Sequence, residues 1–210
     1  MIEVHHLNNS RSQRVLWLLE ELGTPYRIVP YARDAKTMLA PPELKAVHAL
    51  GKSPVIRDGE QVIAESGAII EYLLEKQGGA QFVPPKNTAA FESYRYWMHY
   101  AEGSLMPPML IKLYLSRIGE PAKALFDRVT AQIQMHLNFI ENALGSNPFI
   151  TGTQFTAADV QLSFPIEFGF GRGDLQDAQP QLRKWLQRLH QRPAYGRALE
   201  KGGPYAYAKD

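Results

Sequence analysis

Apolar positions in the first third of the chain alternate between two periods. Met1–His6 has the short, half-apolar pattern of a strand. Ser10–Leu22 places Val15, Leu18, Leu19 and Leu22 on one stripe, the i, i+3, i+4, i+7 spacing of a helix. Ser10 with Gln13 reads as a capping box at its start, and Gly23 with Pro25 ends it. Tyr26–Val29 is a second strand, and Pro42–His48 a short proline-led helix. Pro54–Arg57 and Gln61–Ala64 are two strands joined at Asp58-Gly59, a strong hairpin signal. Ser66–Lys76 carries Ile69, Ile70, Leu73 and Leu74 on one side and ends at Gly78-Gly79. The order βαβ, helix, hairpin, helix predicts a mixed sheet with helices over its faces.

Residues 78–87, GGAQFVPPKN, have no periodicity and read as a linker. Everything after it has helical spacing, so residues 1–79 form an α/β domain and 88–210 an all-helical one. Thr88–Ile118 is a long helical stretch with an interruption expected near Pro107-Pro108. Pro121–Leu144 has a stripe through Leu125, Val129, Ile133, Leu137, Ile140 and Leu144. Thr156–Glu167 and Pro180–Gln191 complete the set. Thr156 as N-cap, Asp159 at the third helical position and a Phe155–Val160 staple assign that motif to folding rather than catalysis.

Charge narrows the function classes. The 23 basic and 21 acidic residues nearly balance, at a formal +2, and no basic run stands out. Neither nucleic acid nor a membrane surface is therefore expected as a partner. The chain has no cysteine, which removes disulfides, thiolate–zinc sites, C-x-x-C exchange and any protein thiol nucleophile. The first residues, MIEVHHLNNSRSQ, lack the features of a signal peptide, and no apolar run is long enough to span a bilayer. A soluble, cytoplasmic protein is the expectation.

Three segments carry chemistry. In G-K-S-P-V (51–55) proline belongs at a strand start, because it cannot donate to a sheet. A cis Ser53–Pro54 bond would turn the Ser53 N–H and C=O toward a peptide ligand, with Lys52 beside them for a carboxylate. In E-S-G (65–67) a strand gives way to a helix, whose first N–H groups form an anion site. Ser66 adds a hydroxyl there, and Glu65 a carboxylate for an ammonium. Taken singly, each segment also reads as an ordinary turn or cap. Asn8-Asn9-Ser10-Arg11-Ser12 opens the first helix, where dipole and hydroxyl favour a thiolate. Lowering a thiol pKa of about 8.5 by about two units needs about 2.7 kcal/mol. One charge-assisted hydrogen bond supplies about 1.5–3 kcal/mol of it.

With S-R-S-Q-R-V-L-W-L-L-E-E-L-G (10–23), G-K-S-P-V-I (51–56), A-E-S-G-A-I-I-E-Y-L (64–73) and F-T-A-A-D-V (155–160), the chain resembles a cytosolic glutathione transferase through nearly its full length. A-E-G-S-L-M-P-P (101–108) is similar to the bacterial and fungal branch related to a yeast membrane-associated transferase. The resemblance implies a thioredoxin-like N-terminal domain, a cis-proline at Pro54 and an all-helical C-terminal domain. It also implies that Lys52, Ser53, Pro54, Glu65 and Ser66 bind glutathione. Some classes of the family use a tyrosine near the end of the first strand, but the first tyrosine here is Tyr26. Others use cysteine, of which there is none. In the serine classes the hydroxyl sits five residues before the arginine matching Arg14, a register that lands on Asn9. Ser10 ranks first as the group facing the thiol, with Asn9, an amide donor, and Ser12 as rivals.

His5 and His6 point to opposite faces of a strand and cannot share a metal. Tyr94, Tyr96, Tyr100, Met106, Met109 and Tyr114 form an aromatic and methionine-rich stretch, in which Tyr100, Glu102 and Met106 are candidates for the wall of an apolar electrophile pocket. The resulting expectation is an enzyme that directs the glutathione thiolate at hydrophobic electrophiles. The same chemistry extends to organic hydroperoxides. Glutathione is its cosubstrate, no metal or redox cofactor is needed, and the resemblance implies a homodimer. The alternative is a non-catalytic glutathione-binding or regulatory protein of the same fold.

Overall fold

Strand β1 (Ile2–Leu7) lies inside a four-stranded sheet of order β2-β1-β3-β4 in the computed structural model, which describes residues 1–172 and 179–208. It runs parallel to β2 (Tyr26–Tyr31) and antiparallel to β3 (Val55–Asp58), which pairs with β4 (Gln61–Ala64). A parallel neighbour needs a crossover, and α1 (Ser12–Leu22) supplies it. Pro30 falls in β2, an edge strand, where its missing N–H costs no central pairing. After the short α2 (Leu44–Val47), the hairpin feeds α3 (Ser66–Lys76), which matches its sequence-based bounds. The mixed sheet with helices, and the thioredoxin-like arrangement implied by the resemblance, are borne out.

The described residues divide into two compact units, Met1–Val83 with His190–Ala206, and Pro84–Leu189 with Tyr207. The last helix, α9 (Pro193–Gly202), thus belongs with the sheet, although residues 88–210 have the helical spacing of one continuous domain. Trp17 meets Tyr195 edge-on at 5.2 Å, and Glu20 accepts from Arg197 and Lys201. Covered by the sheet and by α9, α1 buries Ser12 to Glu20, well beyond a single apolar stripe.

Two local expectations are corrected. Asp58 pairs with Gln61, so the hairpin loop is Gly59-Glu60, with glycine first at φ +62. That order suits a II′ turn rather than the expected Asp-Gly turn. The Ser10–Gln13 capping box does not form either: α1 begins two residues later, and the Ser10 hydroxyl accepts the Ser12 N–H at 3.2 Å.

The second unit is helical: α4 (Ala89–Tyr100), α5 (Met106–Leu115), α6 (Lys123–Leu144), α7 (Ala157–Gly171) and α8 (Pro180–His190). The break expected near Pro107-Pro108 is instead a π-helical turn over Ala101–Leu105, joining α4 to α5. The widened turn accommodates a proline that has no N–H and crowds the carbonyl four residues back. Along α6 the predicted stripe is buried except Leu125, which is half exposed. In α7 every residue from Ala157 to Gly169 is buried, the mark of a helix at the centre of its unit. Its capping box forms as expected. Asp159, fully buried, accepts from the N–H groups of Thr156 and Ile150 and from Trp185 Nε1, each at 2.9 Å. No described helix is long and apolar enough to cross a membrane.

Candidate functional site

The segments singled out in the first unit come together at one end of the sheet. The Ser53–Pro54 bond is cis, as the resemblance implies. In the register of β1 against β3, Ser53 would pair next with Leu7. Its side chain takes over that pairing: Ser53 Oγ donates to the His5 carbonyl at 2.9 Å and accepts the Leu7 N–H at 3.3 Å. The ladder thus ends on a hydroxyl, leaving the Ser53 main chain just before β3 at the end of the sheet. Lys52 is exposed and makes no ion pair among the described residues.

Ten residues beyond the cis bond, β4 turns into α3. Glu65 stands at the N-cap position with φ +71 and ψ 122, backbone that residues with a side chain rarely adopt. Such strain persists only where the surroundings impose it, and it concentrates at ligand sites. Glu65 is exposed, and its side chain does not cap the first N–H groups of α3. Ser66 is buried, and its Oγ accepts from Arg14 Nη2 at 3.0 Å. An oxygen that accepts from a guanidinium keeps its own hydrogen for another acceptor, so Ser66 is set as a donor at a site for anions.

Arg14 has a structural tie that its place in the sequence does not declare. It is almost fully buried within α1 and tied to Ser66, 52 positions away. A buried arginine on a helix otherwise striped with apolar residues was the available signal.

The start of α1 faces the cis bond. Ser10 Oγ lies 3.5 Å from Ser53 Oγ and 2.8 Å from Ser12 Oγ, which is 2.8 Å from His6 Nδ1. Burial lowers the pKa of His6, and a hydrogen bond to the Gly202 backbone partly offsets this. Its neighbour His5 bonds Tyr31 on the other face of β1, so the two rings do stand apart as the strand geometry required. Asn9 has φ +50, and its Oδ1 accepts the Ala206 N–H at 2.7 Å. Arg33 secures this turn by donating to the carbonyls of Asn8 and Asn9. Of the three candidates for the thiol, Ser10 and Ser12 are buried together and Asn9 is half-buried beside them.

The other three candidates lie in the second unit. A cavity of about 520 Å³ is lined by Glu92, Arg95, Tyr96, His99, Tyr100, Gly103 and Ser104. Tyr100 belongs to it, stacked on Tyr96 at 5.5 Å and hydrogen-bonded to His136. Glu102 is half-buried in the π turn, and Met106 is buried in the helical core. Neither lines this cavity. Among the described residues no three His, Asp or Glu side chains are grouped as metal ligands.

Two family models match, "Glutathione S-transferase, N-terminal domain" over residues 1–75 and "Glutathione S-transferase, C-terminal domain" over 97–193. Glutathione S-transferase 3 of Schizosaccharomyces pombe is 36% identical, across 96% of this chain and 88% of its own. A crystal structure of a glutathione S-transferase from Actinobacillus pleuropneumoniae superposes with a TM-score of 0.88 at 35% identity, covering 98% of this chain and 94% of that one. A glutathione transferase family member from Pseudomonas fluorescens, solved with two glutathione bound, gives 0.80 at 25% identity over 95% and 92%. The likeness runs from the first strand through the helical region, over both units, and on it the chain belongs to the glutathione S-transferase family.

Proposed function

We propose that this glutathione transferase holds the tripeptide across the end of its sheet, where β3 begins and β4 ends, with the thiol at the start of α1. The observation that carries this reading is the approach of Ser10 to Ser53, which joins the thiol-directing segment to the peptide-pairing one. The Ser53 main chain pairs with the cysteinyl residue as an added strand would. Glu65 takes the γ-glutamyl ammonium, while the Ser66 hydroxyl and the first N–H groups of α3 take its carboxylate. Lys52 faces the glycyl carboxylate. Pro54 opens β3 and keeps the Ser53 peptide turned to the ligand.

Ser10 stabilises the thiolate through one charge-assisted hydrogen bond, helped by the positive end of α1. The thiolate attacks an apolar electrophile, displacing a leaving group or adding to an activated double bond. The same nucleophile reduces organic hydroperoxides. Tyr100 is assigned to the electrophile wall, with Glu102 in the adjoining π turn and Met106 in the core as its supports. The enzyme works in the cytoplasm as a homodimer.

Purified protein given glutathione and a chloronitrobenzene tests the reading. Ser10→Ala should lower kcat about 10- to 100-fold with glutathione affinity unchanged. Full activity in Ser10→Ala would overturn the assignment and transfer it to Asn9, tested as Asn9→Ala.

A further inference from the structure

Behind Ser10 a line of hydrogen bonds runs inward and stops at an imidazole. Ser10 Oγ lies 2.8 Å from Ser12 Oγ, and Ser12 Oγ lies 2.8 Å from His6 Nδ1. The far edge of the ring lies at α9, where Nε2 faces the Gly202 backbone, a polar contact that favours a proton on the ring. Ser12 is fully buried, and Ser10 and His6 are each 5% exposed. Charged groups on the neighbouring elements are engaged elsewhere. Arg14 of α1 donates to Ser66, Glu20 of α1 is held by Arg197 and Lys201 of α9, and Arg27 of β2 is paired with Glu3 of β1. The chain of three is therefore a buried polar path, with the Leu7 carbonyl beside Ser12 and the Ser53 hydroxyl beside Ser10 as its side contacts.

The direction of its hydrogens follows from the far end. A contact that favours a proton there puts the ring hydrogen on the nitrogen facing Gly202. In neutral imidazole the other nitrogen, Nδ1, is then a bare acceptor. Of the two acceptors near Ser12 Oγ, His6 Nδ1 at 2.8 Å is closer than the Leu7 carbonyl at 3.3 Å, so Ser12 gives Nδ1 its hydrogen and in turn accepts the hydrogen of Ser10. Ser10 Oγ also accepts the Ser12 N–H, so it shows the ligand a lone pair rather than a hydrogen. That arrangement suits an S–H group. A thiolate needs the reverse, a hydrogen pointing outward from Ser10.

We propose that the thiol loses its proton inward along this path, with His6 as the terminal acceptor. The inference rests on the reading that Ser10 faces the thiol. The S–H bond breaks and its proton joins Ser10 Oγ; the former Ser10 hydrogen moves to Ser12, and that of Ser12 to His6 Nδ1. One proton is transferred in total, leaving a thiolate that accepts from Ser10 and an imidazolium that donates to Ser12 and Gly202. Burial disfavours an isolated imidazolium here, so the cation forms only together with the thiolate. After a substitution the leaving group departs as its anion. Once the thioether product has left, the proton returns along the same path to water. His6 and Ser12 are positioning residues, because neither touches the substrate.

The test follows the His6 ring by ¹⁵N NMR in histidine-labelled full-length protein, with the resonance assigned from His6→Asn. Adding glutathione should move Nδ1 from the shift of an unprotonated to that of a protonated ring nitrogen, in step with thiolate absorbance near 240 nm. S-methylglutathione, which has no thiol proton, should leave Nδ1 bare. Thiolate forming while Nδ1 stays bare, or Nδ1 gaining a proton with the methylated ligand, would overturn the proposal. Ser12→Ala should lower the thiolate band about tenfold at fixed pH, and Ser12→Thr should restore it. If Ser10→Ala keeps the full band, the underlying placement of Ser10 has failed; if Ser10→Ala loses it while Ser12→Ala does not, only the relay has.

Discussion

The hydroxyls of Ser10 and Ser53 lie 3.5 Å apart although 43 positions separate them. One opens the first helix and the other ends the ladder between β1 and β3. Their approach brings a group suited to a thiolate against a main-chain edge suited to a peptide. The further ties of Arg14 to Ser66 and of Ser12 to His6 set the orientation of these groups from within the protein.

Arg14→Lys should weaken glutathione binding about tenfold, since a lysine cannot hold Ser66 Oγ in the same fixed geometry. Turnover at saturating glutathione should stay within about twofold, because Ser66 acts on the far end of the ligand from the sulfur. Steady-state kinetics with glutathione varied will separate the two effects.

Glu65→Gly should separate stability from binding. Glycine adopts φ +71 without the side-chain clash and relieves about 1–3 kcal/mol of local strain. Against this stands about 0.5–1 kcal/mol of extra freedom in the unfolded chain. Urea denaturation should therefore show equal or greater stability. Glutathione affinity should nevertheless fall, because the carboxylate that faces the ammonium has gone.

Asp159→Asn should destabilise the fold by about 2–4 kcal/mol, since an amide nitrogen would face donors that now meet a carboxylate. Unfolding curves will give the loss. Glutathione affinity of the folded fraction should not change, because Asp159 sits in the capping box of α7 and not in the ligand site.

Burial lowers the pKa values of His5, His6 and His136 below the ordinary 6.5. The folded chain then binds fewer protons than the unfolded one between those lowered values and 6.5. Stability is fully present above the unfolded value and is lost as pH falls through the folded ones. Thermal unfolding at stepped pH should show a decline below about pH 6.5. Replacing His6 with Asn should make that decline shallower.

Local elements were legible because their signals are local. The period of Ile69, Ile70, Leu73 and Leu74 gave α3 its bounds, and Thr156 with Asp159 gave α7 its cap. The paired segments around the hairpin read as the two ends of a peptide socket in the sequence itself. What was hidden depends on contacts between distant parts of the chain. Nothing in Pro193–Gly202 declares that it covers α1, yet that cover explains why Gln13 and Glu20 are buried. No glycine marks the positive-φ backbone at Glu65, so nothing in the sequence signals that conformation. The capping box expected of Ser10 failed because its hydroxyl is engaged with Ser12 and Ser53 instead.

Thiolate absorbance near 240 nm, followed during a glutathione titration of the parent chain and of Ser10→Ala, tests the central claim most directly. The parent should ionise the bound thiol about two pH units below free glutathione. Ser10→Ala should bind glutathione with the same affinity and leave the thiol protonated at neutral pH. A full thiolate band in Ser10→Ala would contradict the claim.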